Sequence, residues 1–229
     1  MELLFEKPII LAAPAWKVIT FEADIANVAT SDLLWEELES EASALRGSYE
    51  LGSINKRPAI AATRAAYKAL GKDPNRYRPS AEALCRRLVK GMPLYRTLAA
   101  IDLINLISVK WGYSIGGFDS DMIQGSKLIL GVGREGEEFE AIGRGQLNIA
   151  GLPVYRDAAG GIGTPTSDHE RTKLGPDTTR LLMVVNIYDG ANPGITFSDE
   201  VERLLTTHCS SSSITKKHYN ITNNITHQS

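Results

Sequence analysis

The chain has 229 residues, 43% of them hydrophobic and 23% charged, with a formal net charge of −2. That is enough for one large domain or two small ones with a filled core, ordinary for a soluble globular protein. Cys85 and Cys209 are too few and too far apart for a disulfide framework or a cysteine metal site, and a secretion signal and a membrane span are not read either, so a cytoplasmic protein is expected.

The near-neutral total hides an asymmetry. Between Asn55 and Arg96 lie Lys56, Arg57, Arg64, Lys68, Lys72, Arg76, Arg78, Arg86, Arg87, Lys90 and Arg96, opposed only by Asp73 and Glu82. The segment carries about +9 and the remainder about −11. Such a split either projects a one-sided field toward an anion or anionic polymer, or covers solvated helix faces whose charges are screened within about 10 Å.

In chain order, Ile9–Ala12 and Trp16–Phe21 read as short strands around a turn at Pro14. Ser31 or Asp32 caps a helix with Leu33, Leu34, Leu38, Ala42 and Leu45 as its apolar stripe. Pro58 opens a second helix that Gly71 stops. A rigid loop follows, with Tyr77 between Arg76 and Arg78. An aromatic flanked by arginines suits stacking and phosphate contact with a single-stranded nucleic acid. Ser80 is expected to cap a helix to about Lys90, where Arg86, Arg87 and Lys90 also complement the helix dipole.

The stretch from Asp102 to Asp121 organises the rest. It begins as an apolar helix, breaks at Gly112 and is expected to bend again at Gly116-Gly117. Asn105 is a polar amide inside a run of Leu, Ile and Val, so it either ties down backbone or faces a pocket. A helix, a glycine bend and the carboxylate of Asp119 make either a cleft wall or a helix–strand connection.

Lys127–Val132, Glu138–Ile142, Gln146–Ile149 and Leu152–Tyr155 then read as short strands separated by glycine turns. Gly131–Gly136 matches G-x-G-x-x-G by letter, but no helix follows, so a hairpin turn is expected rather than a nucleotide loop. Ala158–Thr166 reads as a glycine-rich loop, and Ser167–Lys173 is the densest polar cluster. Its His169 lacks further His or Cys ligands in the body of the chain, so no metal site is expected. Arg180–Tyr188 reads as a buried central strand, and Ser198 as the cap of a last helix through Leu205. From Thr206 the chain turns polar, which predicts a domain over 1–205 and a loose tail over 206–229. The N-I-T sequons at Asn220 and Asn224 carry no weight without a secretion signal.

The stretch R-P-A-I-A-A-T-R-A-A-Y-K-A-L-G-K-D-P-N-R-Y-R-P-S-A-E-A-L-C-R-R-L-V-K-G, followed by D-L-I-N and G-G-F-D, resembles the B3/B4 domain. That domain edits in the bacterial phenylalanyl-tRNA synthetase β subunit and also occurs free-standing. The resemblance continues through R-E-G-E-E-F-E-A-I-G, Val154–Asp157 and G-P-D-T-T-R-L-L-M-V-V, roughly residues 45–190. It implies an α+β fold, with mixed sheets packed against helices and a cleft lined by the helix–bend stretch. It also implies hydrolysis of tyrosine wrongly esterified to tRNA(Phe). Asn105 matches the pocket asparagine, Phe118-Asp119 match the end of the family's H-A-F-D, the family's histidine falls on Gly116, and its later acidic residue falls on Asp177.

The candidate set is then Asn105, Asp119 and Asp177 for chemistry, and Gly116, Gly117, Phe118, His169 and Thr179 for the substrate pocket. Arg57, Arg64, Arg76, Arg78, Arg86 and Arg87 are the candidates for RNA contact. Ester hydrolysis is intrinsically easy, so a pocket that positions water and hydrogen-bonds the carbonyl can suffice without the histidine. The first reading is a domain that recognises the aminoacylated end of a tRNA and hydrolyses mischarged aminoacyl-tRNA in trans. The alternative is an amino-acid or small-metabolite binding protein without RNA contact, which the charge of −2 favours mildly. A catalytically silent interaction module ranks third. The sequence has no ATP-binding signature, so it is not read as a complete tRNA ligase, and no cofactor is expected.

Overall fold

In the computed structural model, which describes residues 1–222, the chain runs β1 (Glu2–Phe5), α1 (Lys7–Ala12), β2 (Lys17–Asp24), α2 (Asp32–Ser48), α3 (Pro58–Ala69), α4 (Ser80–Val89) and α5 (Ala99–Trp111). It continues through β3 (Ser114–Asp119), β4 (Lys127–Val132), β5 (Glu140–Ala141), β6 (Gly145–Gln146), β7 (Pro153–Asp157), β8 (Gly160–Gly163), β9 (Arg180–Ile187), α6 (Gly194–Cys209) and β10 (Ile214–Asn220). The α+β class with mixed sheets is therefore as expected.

The strands form two four-stranded sheets and one small ribbon of β5 and β6. One sheet has the order β10-β2-β9-β3 and is antiparallel throughout. The other has the order β1-β4-β7-β8, with β1 and β4 parallel and the remaining pairs antiparallel. β9 shows why its sequence is apolar without a break. Leu181, Met183, Val185 and Ile187 pack into the core shared with α2, α4, α5 and α6, while Leu182 and Val184 pack with Leu3, Phe5, Leu128, Leu130 and Tyr155 of the second sheet. A strand covered on both faces cannot alternate apolar and polar residues. Its one polar interior residue, Asn186, is satisfied by Tyr155 Oη–H on one side and the Ser114 carbonyl on the other.

α5 is nearly submerged. Ala99, Ala100, Leu103, Ile104, Leu106, Ile107 and Val109 are all buried. Gly112 ends it at φ 77°, a left-handed turn that glycine adopts without the Cβ penalty. Arg57, 8% exposed, lies against this end and donates to the carbonyls of Val109 (2.8 Å) and Lys110 (2.7 Å) and to Cys85 Sγ. Helix C-termini leave carbonyls without intrahelical donors, and here a buried guanidinium supplies them.

Several expectations are corrected. Ile9–Ala12 is the end of a helix, because Pro8 fits its first turn; the N-terminal strand is Glu2–Phe5 instead. Gly116 and Gly117 lie within β3 rather than in a bend, and Gly160–Gly163 is a strand rather than a loop. Gly133 and Gly136 sit in a turn with no helix after it, as expected, yet β4 pairs with β1 and β7 rather than forming a hairpin with β5. Ser80 does not cap α4 through its side chain, and Ser198 lies buried inside α6. The expected loose tail is ordered as far as the described residues go. Residues 206–209 complete α6, and β10 pairs along β2 from Ile214 opposite Ala23 to Asn220 opposite Lys17. An edge strand needs backbone partners and only a few apolar side chains, so its polar composition concealed it. Residues 223–229, with the Asn224 sequon, lie outside the described residues.

Replacing Arg57 with Met should lower stability by roughly 2–4 kcal/mol, since hydrogen bonds from a charged group are lost and helix carbonyls are orphaned. Urea denaturation measures this. An Arg57→Met midpoint equal to that of the wild type would show that the contact does not hold α5.

Candidate functional site

A cavity of about 260 Å³ opens between α5, α4, β3 and the segment 167–174. Its wall on α5 is a single stripe, Ile101, Ile104, Asn105 and Ser108, spaced i, i+3, i+4 and i+7 on one helix face. Leu84 and Ser80 of α4, Ile115 and Gly117 of β3, and Ser167, Asp168, Lys173 and Leu174 complete it, with the exposed Ile142 also lining it. The apolar part is aliphatic throughout. The Asn105 side chain has no hydrogen-bond partner among the described residues, so its amide is free to donate to and accept from a ligand. Of the two uses expected for Asn105, facing a pocket is the one found.

The carboxylate on the cavity wall is Asp168, which residue type alone does not single out beside its neighbour His169. Residues 168 and 169 are extended, Asp168 bridging Gly163 and His169 bridging Ala141, so their side chains point apart. Asp168 is half-buried and lines the cavity. Its Oδ2 accepts from the Gly117 N–H at 3.2 Å, and no cation pairs with it among the described residues. Burial pushes its carboxyl up to about 7, and the single Gly117 N–H offsets only part of that. Lys173, the one cation lining the cavity among the described residues, is bonded to Glu170 at 2.5 Å.

Three missing side chains make this arrangement fit. A Cβ on Gly117 would stand 2.5 Å from Ile104 Cδ1. One on Gly116 would stand 2.7 Å from the Phe118 ring, and one on Gly163 would stand 2.5 Å from that ring and 2.8 Å from Asp168 Oδ1. None of the three has a positive φ, so these glycines serve close approach rather than turn geometry.

Of the other expected residues, only Gly117 and Asn105 line the cavity. Gly116 makes room behind it, and Phe118 is wholly buried beneath β3 as core. Asp119 lies outside: its carboxylate accepts from Thr178 Oγ1–H at 2.7 Å and from the Asp121 N–H at 3.0 Å, capping the short turn Ser120–Met122. Asp177 and Thr179 are exposed and do not line the cavity. His169 Nδ1 accepts from the Arg171 N–H at 2.9 Å, and its ring meets Phe139 edge-on. Burial and the Arg171 guanidinium hold its imidazole below its usual pKa, so it is a neutral cap rather than a pocket base.

The basic segment divides in two. Arg57 and Arg64 are structural. Arg57 holds α5, and Arg64 donates to Glu82, Asn75 and the Pro74 carbonyl. Glu82, 2% exposed, also has Arg78 at 3.6 Å and Arg86 at 3.9 Å. Arg78, Arg86, Arg87 and Lys90, with Ala83, Leu84 and Met92, line a second hollow of about 320 Å³. Leu84 belongs to both hollows, so the basic one adjoins the cavity. Arg86 donates to the Leu51 carbonyl, and Arg87 donates to the Pro93 carbonyl and lies over the Tyr95 ring. Arg76 is exposed beside Tyr77.

A half-buried carboxylate with no cation beside it costs stability. The folded state holds the Asp168 proton more tightly than the unfolded state, so stability falls as pH rises from about 4 to 7 and stays reduced above it. Asp168→Asn should therefore melt higher than the wild type at pH 8, with the gap closing toward pH 4. A variant that melts lower at pH 8 would contradict this placement of the carboxyl.

A sequence model of the B3/4 domain matches residues 62–198, more than half of the chain. No match is found among curated proteins. Among solved structures, an N-terminal fragment of the phenylalanyl-tRNA synthetase β-subunit from Pyrococcus horikoshii superposes with a TM-score of 0.47 at 10% identity, covering 95% of this chain and 53% of that one. This chain thus spans about half the length of that fragment. Among the described residues no helix is long and apolar enough to cross a membrane. By the extent of the sequence match, the chain belongs to the B3/4 domain family.

Proposed function

We propose that the protein recognises the aminoacylated 3′ end of a tRNA and hydrolyses the ester of a mischarged one in trans. The observation that supports this most is the adjacency of the two hollows. A small cavity with aliphatic walls, an unpaired amide and an unpaired carboxylate shares Leu84 with a concavity of four cations. The cavity suits an aminoacyl group, and the basic hollow suits the phosphates that lead to it.

In this reading Asn105 donates from its amide to the ester carbonyl, where negative charge grows as water adds. The water is ordered by hydroxyls on the cavity wall, those of Ser80, Ser108 and Ser167. Water adds to the carbonyl carbon, the bond from that carbon to the ribose oxygen breaks, and a proton from the water passes to the departing oxygen, which releases the amino acid and the ribose hydroxyl. Because an activated ester needs little more than positioning, the absence of a histidine at Gly116 is compatible with activity.

One observation favours the alternative, a binder of an amino acid or small metabolite that touches no RNA. Arg57 and Arg64, two of the six arginines read as RNA contacts, are committed to internal hydrogen bonds. The readings separate in one experiment. Deacylation is followed across a panel of mischarged aminoacyl-tRNAs with wild type, Asn105→Ala, and a triple reversal of Arg76, Arg87 and Lys90 to Glu. Hydrolysis should fall by about 100- to 1,000-fold in Asn105→Ala, the range for losing one oxyanion donor. The triple reversal should weaken tRNA binding and flatten its salt dependence. No deacylation and no tRNA complex at low salt would leave the small-molecule reading.

A further inference from the structure

The cavity is unbalanced in charge. Asp168 offers a carboxylate with four lone-pair sites, and only one of them, on Oδ2, is engaged by protein. Its Oδ1 accepts no hydrogen bond among the described residues and is not sealed from solvent. Among the described residues the only cation on the cavity wall, Lys173, is bonded to Glu170. The remaining polar groups, Asn105 and the serines, are neutral. A ligand that completes this site brings one positive charge and no negative one.

We infer that Asp168 binds the α-ammonium of an aminoacyl group with an apolar side chain, and that the site selects against the free amino acid. The inference deepens the proposed function and rests on its assignment of the cavity to the aminoacyl group. An aminoacyl ester carries an ammonium and a neutral carbonyl. Its ammonium meets Asp168, its carbonyl meets the Asn105 amide, and its side chain meets Ile101, Ile104, Ile115 and Leu174. A free amino acid carries the same ammonium but also a carboxylate, held on the same carbon and therefore close to Asp168. Like charges at that distance repel, and among the described residues no unpaired cation on the wall compensates. The selection has a use: the product of ester hydrolysis is the species the site rejects, so it leaves once the ester is cut.

The inference is tested without RNA, so its failure is separable from that of the proposed function. Calorimetric titration at about pH 7.5, above the value of about 7 for the Asp168 carboxyl and below the α-amino pKa of about 8, compares leucinamide and phenylalaninamide with leucine and phenylalanine, and with N-acetyl-leucinamide. The two amides should bind at least about tenfold more tightly than the free acids and than the acetylated amide, the scale of one charge-assisted hydrogen bond. Serinamide should bind more weakly than leucinamide. Asp168→Asn should retain its melting transition and lose the preference for the amides. Equal or tighter binding of the free acids, indifference to acetylation, or no binding of any amide would overturn the inference. Amide preference without a tRNA complex would overturn the proposed function and leave this inference standing. Deacylation of tRNA without amide preference would do the reverse.

Discussion

The site depends on the absence of three side chains. Gly116, Gly117 and Gly163 let the Phe118 ring, the Ile104 side chain and the Asp168 carboxylate occupy space that a Cβ on any of them would take. With Gly117 bare, α5 comes close to β3 through Ile104, and the Gly117 N–H reaches the Asp168 carboxylate. A methyl group at Gly117 would press on Ile104, which lines the cavity, and so would change the shape of the wall. Close packing leaves little slack to absorb that change.

Behind that contact stands a layered body. The sheet containing β9 is covered on one face by helices and on the other by the second sheet, which fixes β3 and therefore Gly117. α5 is held at one end by buried Arg57 and near the other by Asp102, whose carboxylate accepts from Thr30, from the Thr97 hydroxyl and from the Thr97 N–H. The helix that presents Asn105 is thus fixed at both ends, as a site needs if its groups are to be pre-positioned. Cations serve two purposes in this molecule. Some, such as Arg57 and Arg64, are consumed in holding the fold, while Arg78, Arg86, Arg87 and Lys90 gather beside the cavity, so the excess of positive charge along the sequence overstates the charge offered to a partner.

The sequence revealed some of this and concealed some for physical reasons. α2, α3 and α5 were legible because apolar residues recur at helical spacing and Gly71 and Gly112 stop two of them. β9 was legible because a strand buried on both faces is apolar without interruption. Asn105 could be singled out because an amide in such a helix demands an explanation. β10 was hidden because its polar edge owes its order to backbone pairing with β2. Asp168 was hidden because it sits beside a histidine, and residue type alone does not say which of two neighbours points inward; the bridge to Gly163 decides it. Asp119 looked like a pocket carboxylate, but capping a turn is the commoner use of an aspartate there.

The proposed activity and selectivity both depend on where an aminoacyl group sits. The most direct measurement is a crystal structure of the protein with a non-hydrolysable aminoacyl-adenosine, its ester replaced by an amide at the ribose 3′ position. The account predicts the ammonium within hydrogen-bond distance of Asp168, the carbonyl on Asn105, the side chain against α5, and the ribose leaving past Leu84 toward Arg78 and Arg87. An analogue bound elsewhere on the molecule, or turned so that its ammonium faces away from Asp168, would contradict it.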